Sequence, residues 1–454
     1  MKFGGSSVAD AACMRQAAGL VRDALPGAPL VVLSAMGKTT NALFTAATDA
    51  ERGDLPAALD RLKELIQNHR RAAENLFDEA VPEVLDQALT DAFGQIELLL
   101  RGVALLRELS PRSQDAIASF GEQLSTRIFE AFLRHQGVEA AWVDARTVMR
   151  TDGTFGEGQP DAAAIRGLAR VHLAPLLGPG RAVVTQGYIG ATEEGLTTTL
   201  GRGGSDYSAA LFGAALRAAE VQIWTDVEGV LTCDPRIVPG ALPIPELSFA
   251  EAAELAAFGA KVLHPATIQP AVEARIPVTV RHTQKPKGRF TTITGEVHTG
   301  RSVTALASRG PITVLTVSSS RMLAQSGFLA RLFEVFGRLN ISVDLVATAE
   351  ISVSLTVESD APLKALIKEL SSFATIQVAE DRAIVAVVGE RLKHTAGLGS
   401  RLFGALADIN IEMISMGANE INLSIVIQRE KVDETLRRLH AALIESKDDG
   451  RGAA

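Results

Sequence analysis

The sequence predicts an α/β protein: a three-layer domain around a mainly parallel sheet, followed by two α+β units of the ferredoxin-like kind. Three observations lead there. Short apolar runs bounded by turn residues, at Pro29–Ala35, Glu139–Val143, Arg181–Gln186 and Val221–Gly229, have the character of buried parallel strands. They alternate with stretches in which leucine and alanine recur at three- and four-residue spacing with charges between, notably from Asp54 to about Gly137. The C-terminal third repeats itself at an offset of 70 residues: Arg331-Leu332-Phe333 returns as Arg401-Leu402-Phe403, Asn340-Ile341 as Asn410-Ile411, Glu350-Ile351 as Glu420-Ile421, and Ser354 as Ser424.

Taken in order, the chain opens with MKFGGSSVAD, a lysine before a tight Gly-Gly-Ser-Ser turn and then a helical stretch from Ala11 to Leu25. A lysine so placed can reach phosphates that the N–H groups of the turn hold. The strand that should precede the turn is almost missing, so it either begins upstream or is unusually short. The run Pro29–Ala35 leads into Met36-Gly37-Lys38-Thr39-Thr40-Asn41, which is not a P-loop because the required first glycine falls on Val32. The end of this strand presents Ser34, Thr40 and Asn41, where open α/β sheets place their ligands. In SFGEQLST, Glu122 stands at a helix start, where it serves either a site edge or the helix dipole.

The most concentrated chemistry lies at Thr197–Asp206, TTTLGRGGSD, between a strand and a helix rich in small residues. Gly201, Gly203 and Gly204 permit positive φ and close approach to a ligand, and Ser205 or Asp206 is expected to cap the helix. Arg202 adds a planar fork that matches a carboxylate or phosphate. GRGGSD is not a dinucleotide fingerprint, since its sixth position is Asp206. Beyond it, VQIWTDVEG ends in Thr225-Asp226, and Asp234-Pro235-Arg236 follows. Asp226 and Arg236 fit either nucleotide contacts or turns. Lys261 and His264 in FGAKVLHPAT are ambiguous in the same way. The strand Ile276–His282 closes this domain, and Lys285–Arg289 reads as an exposed turn.

Each C-terminal repeat reads strand, helix, strand, strand, closing helix and strand, and two copies can pair sheets and cover each other's edges. The copies differ: Asp344 becomes Ile414, so a cationic or zwitterionic ligand suits the first better.

With 454 residues, 47% apolar and 22% charged, the chain is long enough for several folded domains. A net charge of -8 argues against general nucleic-acid binding. Cys13 and Cys233 make no disulfide framework or zinc pattern, the histidines show no metal pairing, and no apolar run reaches the ~18 residues of a membrane helix, so the expected location is the cytoplasm and no membrane partner is expected.

KFGGSS from Lys2, VLSAMGKTTN, FGE, TTTLGRGGSD, WTDVEG with DPR, and FGAKVLHPAT occur in one order at compatible spacing. With the tandem repeat they resemble the aspartate kinases, most closely the monofunctional lysine-sensitive type, over nearly the whole chain. The resemblance implies an amino-acid kinase domain at 1–290 and ACT regulatory domains at 311–382 and 383–447. It implies transfer of the γ-phosphoryl of ATP, with Mg2+, to the β-carboxylate of L-aspartate, towards lysine, threonine and methionine. Lys2, Gly4, Gly5 and Ser6 would hold the phosphates; Thr225, Asp226, Leu231, Arg236, Lys261 and Val262 would contact the nucleotide. Arg202 would meet the α-carboxylate of aspartate, Glu122 and Asp206 its ammonium, and Ser34 and Thr40 would line the acceptor site, with Lys2, Arg202 and Asp206 catalytic and no protein metal ligand named. A lysine effector would meet Met322, Gly327, Phe328, Leu329, Asp344 and Glu350, and the ACT units would form a homodimer or higher assembly. Ser6, Leu196, Leu231 and Ala349 depart from the family's usual threonine, arginine, aromatic and serine. Another member of the same fold, or an inactive amino-acid sensor, is the alternative reading.

Overall fold

A strand of only two residues, β1 (Lys2–Phe3), runs through the middle of the principal sheet, and its neighbours account for its survival at that length. Lys2 pairs in parallel with Val32 on one side and with Ile223 on the other. The computed structural model describes residues 1–454 except 78–79, 260–264, 296, 298–301, 320–321, 323–325, 418 and 447–454. The chain divides into two units, the first being Met1–Val230, Pro245–Leu247 and Leu263–Gly295.

In the first unit the strands are β1, β2 (Leu30–Leu33), β3 (Glu139–Val143), β4 (Arg181–Gln186), a separate hairpin of β5 (Ile189–Ala191) and β6 (Thr197–Thr199), then β7 (Val221–Thr225), β8 (Glu246–Ser248), β9 (Val278–His282) and β10 (Thr291–Thr294). The main sheet has the order β3-β4-β2-β1-β7-β9-β10-β8. It is parallel from β3 to β9, and β10 is antiparallel to β9. The expected strand runs are thus present, trimmed at their ends where turn geometry begins. Helices Ala11–Ala24, Thr39–Glu51, Leu55–Leu76, Glu83–Leu106 and Phe120–His135 pack among themselves, and Ala162–His172, Gly204–Leu216 and Pro265–Glu273 form a second group. The core of the first group joins Phe3, Leu33 and Val184 of the sheet to Leu43, Ile96, Phe129 and Leu133 of the helices. Among the described residues no helix is long and apolar enough to cross a membrane.

The second unit comprises Leu231–Ile244, Ser248–Val262 and Glu296–Ala454. Its sheet is built from β11 (Ala305–Ser318), β12 (Val346–Thr348), β13 (Ser352–Glu358), β14 (Thr375–Val388), β15 (Met413–Met416) and β16 (Asn422–Gln428), in the order β12-β13-β11-β14-β16-β15. The offset of 70 maps β11 onto β14 and β13 onto β16 residue for residue, and the helices Phe328–Arg338 and Leu398–Ala405 both start after a left-handed glycine, Gly327 (φ 92°) and Gly397 (φ 81°). Each 14-residue strand serves both copies. Residues 312–318 of β11 pair with β13 in the first copy, while 305–309 pair with 384–388 and close the second. Gly310 and Pro311 mark the register shift, since proline has no N–H to give to a ladder. The closing strand of the second copy therefore precedes the range 311–382 assigned to the first. Two cores result, one around Leu315, Leu332, Phe336, Leu355 and Leu366, the other around Val385, Leu402, Ile425 and Leu436. The second core also takes in Cys233 and Val238 from the segment preceding β8.

Candidate active site

Lys2 opens β1 in the middle of the parallel sheet, paired with Val32 and Ile223, and is 8% exposed. Its Nζ lies 2.7 Å from Asp206 Oδ1. A cation this buried needs a carboxylate or a ligand anion beside it, and Asp206 occupies the first turn of the helix Gly204–Leu216, where the helix dipole favours negative charge. The expected cap by Ser205 or Asp206 is not what the structure shows. Gly203 is the N-cap, in the left-handed conformation at φ 75°, with no side-chain cap bond, which leaves both side chains facing elsewhere.

The turn after Lys2 is held by close backbone contact. Gly37 N–H donates to Gly5 O at 3.1 Å, and a Cβ on Gly5 would stand 2.9 Å from Gly37 O and 3.0 Å from Ala35 O. Only glycine fits there. Gly4 N–H is spent on Trp224 O, Ser6 is exposed, and Ser7 is a structural residue that shares a 2.6 Å hydrogen bond with Thr283 Oγ1.

Opposite this turn lies a buried carboxylate. Glu122, 3% exposed, accepts a hydrogen bond from Ala35 N–H at Oε1 (3.1 Å), while Oε2 has no partner among the described residues. Burial pushes its pKa up to about 8. A site that keeps such a group invites a cation into it. Ser34 Oγ donates to Ser205 Oγ (3.0 Å), and Ser125 Oγ fixes the Ser34 carbonyl (2.8 Å).

These groups open onto one cleft of about 580 Å³, lined by Lys2, Gly5, Ser34, Thr40, Glu122, Arg202 and Asp206 among others. Arg202 is exposed and makes no ion pair with any described residue. The cleft thus offers a lysine and a free guanidinium around an unpartnered buried carboxylate oxygen. That is a frame for an anionic group and for a molecule carrying both charges.

Sequence reasoning missed four lining residues: Tyr188, Phe44, Gly156 and Glu157. Tyr188 adopts a positive φ of 68°, unusual for an aromatic residue, and abuts Gly204, whose Cβ would meet the Tyr188 ring at 2.7 Å. A glycine facing a strained tyrosine from 16 positions away leaves no local signal.

Thr225 Oγ1 donates to Asp226 Oδ1 (3.1 Å) at the end of β7, the neighbour of β1. Leu231 and Arg236 belong to the second unit, and Asp234 holds the Arg236 guanidinium with both carboxylate oxygens. Lys261 and Val262 lie outside the described residues. Among the described residues no group of three His, Cys, Asp or Glu could hold a metal ion.

In the second unit Met322 and Phe328 pack against the first core, and Gly327 and Leu329 flank Phe328. Glu350 lies in the turn between β12 and β13, beside the end of β11, where Ser319 N–H donates to Ile351 O. Asp344 is at the other end of β13: its N–H donates to Thr356 O, and its Oδ1 accepts from Arg309 Nη1 at 2.9 Å. Four residues, roughly 13 Å of strand, separate these two ends.

Residues 1–282 match the amino acid kinase family, and 315–368 and 385–443 match the ACT domain. The chain is 42% identical to the lysine-sensitive aspartokinase 3 of Escherichia coli, covering 98% of each, and 39% identical to the chloroplastic aspartokinase 1 of Arabidopsis thaliana, covering 99% of this chain and 80% of that one. The crystal structure of E. coli aspartokinase III with aspartate and ADP superposes with a TM-score of 0.82 at 41% identity, covering 97% of this chain and 98% of that chain. Related at this level over nearly its whole length, the chain belongs to the amino acid kinase family and, within it, to the aspartokinases.

Proposed function

We propose that the cleft transfers the γ-phosphoryl group of MgATP to the β-carboxylate of L-aspartate, giving 4-phospho-L-aspartate and ADP. The observation that carries this reading is the pairing of the unpartnered Glu122 Oε2 with the free Arg202 guanidinium in one cleft. An amino acid's ammonium suits the first and its α-carboxylate the second, which leaves the side-chain carboxylate directed at Lys2. A carboxylate oxygen attacks the γ-phosphorus, the bond to the β-phosphate oxygen breaks, and ADP leaves with that electron pair. The nucleophile is already ionised at neutral pH, so no general base is required, and the work is positioning and charge stabilisation. Lys2 supplies the charge. Asp206, which pairs with the Lys2 ammonium, turns to the substrate ammonium when phosphates arrive. Gly4, Gly5 and Ser6 belong to the phosphate turn, Ser34 and Thr40 to the acceptor side, and Thr225, Asp226, Leu231, Arg236, Lys261 and Val262 to the nucleotide. Magnesium enters with ATP, held by phosphate and water.

On this reading 1–290 is catalytic, and 311–382 and 383–447 regulate it. The E. coli relative is named lysine-sensitive, and its structure has been solved with lysine and aspartate. Lysine is the effector proposed for the first ACT copy, with Met322, Gly327, Phe328, Leu329, Asp344 and Glu350 as contacts. Edge strands β12 and β15 carry exposed apolar residues, Val346, Ile414 and Met416, which support assembly of at least a dimer through this sheet. The cytoplasm is the proposed location.

The test is ADP release with aspartate, glutamate, N-acetylglutamate or carbamate as acceptor, with and without millimolar lysine. Turnover with aspartate alone, suppressed by lysine, is expected, and Arg202→Ala should lower kcat/KM for aspartate at least about 100-fold. Another preferred acceptor would point to a different member of the fold, no turnover to an amino-acid sensor. Indifference to lysine would keep the kinase and remove the effector.

A further inference from the structure

We infer that Asp115, which does not line the cleft, is a positioning residue for the aspartate end of the site. It lies in the helix Pro111–Ala118 and is 2% exposed. Its Oδ2 accepts from Gly156 N–H (2.8 Å) and from Thr199 N–H (2.9 Å), and its Oδ1 accepts from Thr199 Oγ1 (2.7 Å). No cation pairs with it among the described residues. A carboxylate buried without a counter-ion is retained only where its acceptors satisfy donors that would otherwise be orphaned.

The donors it satisfies belong to the two walls of the cleft mouth. Thr199 ends β6, two residues before Gly201 and three before Arg202. Gly156, with Glu157, forms the facing rim. The walls also meet directly: Gly158 N–H donates to Thr199 O at 2.8 Å, and a Cβ on Gly201 would lie 3.2 Å from Glu157 Cγ and 3.3 Å from Gly156 O. Thr199 therefore has its N–H, carbonyl and hydroxyl all engaged, two of the three by Asp115. Without that carboxylate the strand end carrying Arg202 and the rim carrying Glu157 lose their common anchor. Lys2, Gly5 and the β7 end are untouched. The consequence falls on the amino-acid subsite and spares the phosphate end.

This inference takes its substrate from the aspartokinase reading, so its test includes a measurement independent of turnover. In Asp115→Ala, KM for aspartate is expected to rise about tenfold or more, with kcat and KM for MgATP within about twofold of wild type. Asp115→Asn should restore KM to within about threefold, because its oxygen can accept both N–H groups and its amide can donate to Thr199 Oγ1. Hydrogen exchange of the unliganded protein should show faster exchange confined to 156–158 and 199–203 in the alanine variant. That result stands whether or not aspartate is the acceptor. An unchanged KM, unchanged exchange in those segments, or a uniform fall of all constants that asparagine does not restore overturns the proposal. Should the alanine variant fail to fold, Thr199→Val removes one of the three bonds and is expected to raise KM for aspartate about threefold. No change there overturns it equally.

Discussion

At the scale of single residues, Glu122 governs the pH dependence of the cleft. Burial holds its carboxyl at about 8, so near neutral pH the empty site carries it largely protonated. An ammonium arriving at Oε2 favours the ionised form, and binding then expels a proton. The sign follows: kcat/KM for aspartate should rise with pH and level off above about 8, a limb belonging to the free protein. Glu122→Gln should abolish the limb and raise KM for aspartate about 30-fold, as expected when one member of a buried charge pair is removed. A profile with the same limb in the variant would reject Glu122 as the ammonium contact. Lys2, Glu122, Arg202 and Asp206 were legible in the sequence because each stands beside a glycine turn or a helix start. Asp115 was not. Its donors lie 41 and 84 residues downstream, and a buried aspartate in a helix has no pattern to distinguish it from a solvated one.

At the scale of elements, the turn between β1 and its helix determines how well the phosphates are held. The backbone oxygens of Ala35 and Gly37 occupy the space a Gly5 side chain would need, and neither can yield as a flexible side-chain tip would. Gly5→Ala must therefore displace the turn or the Met36–Thr39 loop by a few tenths of an ångström or more, and kcat should fall on the order of 100-fold. Gly27→Ala, with nothing within 4 Å of its Cβ, is the control for the same chemical change. Steady-state kinetics on both variants decides the matter, and a wild-type rate in Gly5→Ala would mean that the loop moves at no cost to catalysis. The parallel strands and the 70-residue repeat were readable because apolar run length and subtraction report them directly. The sharing of β11 and β14 between copies was not, since a repeat tells which segments are alike and not which of two equivalent edges they pair with.

At the scale of the whole molecule, the sequence boundary between catalytic and regulatory parts is not the boundary of the folded units. The family match runs from 1 to 282, yet 231–244 and 248–262 fold with the ACT sheet. Sequence order alone could not show this, because the cause is a set of long-range contacts. Glu254 accepts from the side-chain amides of Asn419 (2.6 Å) and Asn422 (2.8 Å), and Leu306 N–H donates to Thr232 O (2.8 Å). Fully buried His440 joins Thr232 Oγ1 through Nε2 (2.8 Å) and Glu445 Oε1 through Nδ1 (2.9 Å), and Thr232 Oγ1 also accepts from Leu242 N–H (2.8 Å). Removing the imidazole leaves a cavity and takes one partner from a buried hydroxyl. His440→Ala should thus destabilise the second unit by about 2–4 kcal/mol in urea unfolding. Thr232→Val keeps the volume but leaves Leu242 N–H and His440 Nε2 without that oxygen, and should cost about 1–3 kcal/mol. If the two side chains act through their mutual bond, the double variant should fall short of the sum by about 1 kcal/mol. Strict additivity would mean that His440 stabilises the second core by packing alone, and that the kinase segment is held there by Glu254 and the backbone bonds of Thr232.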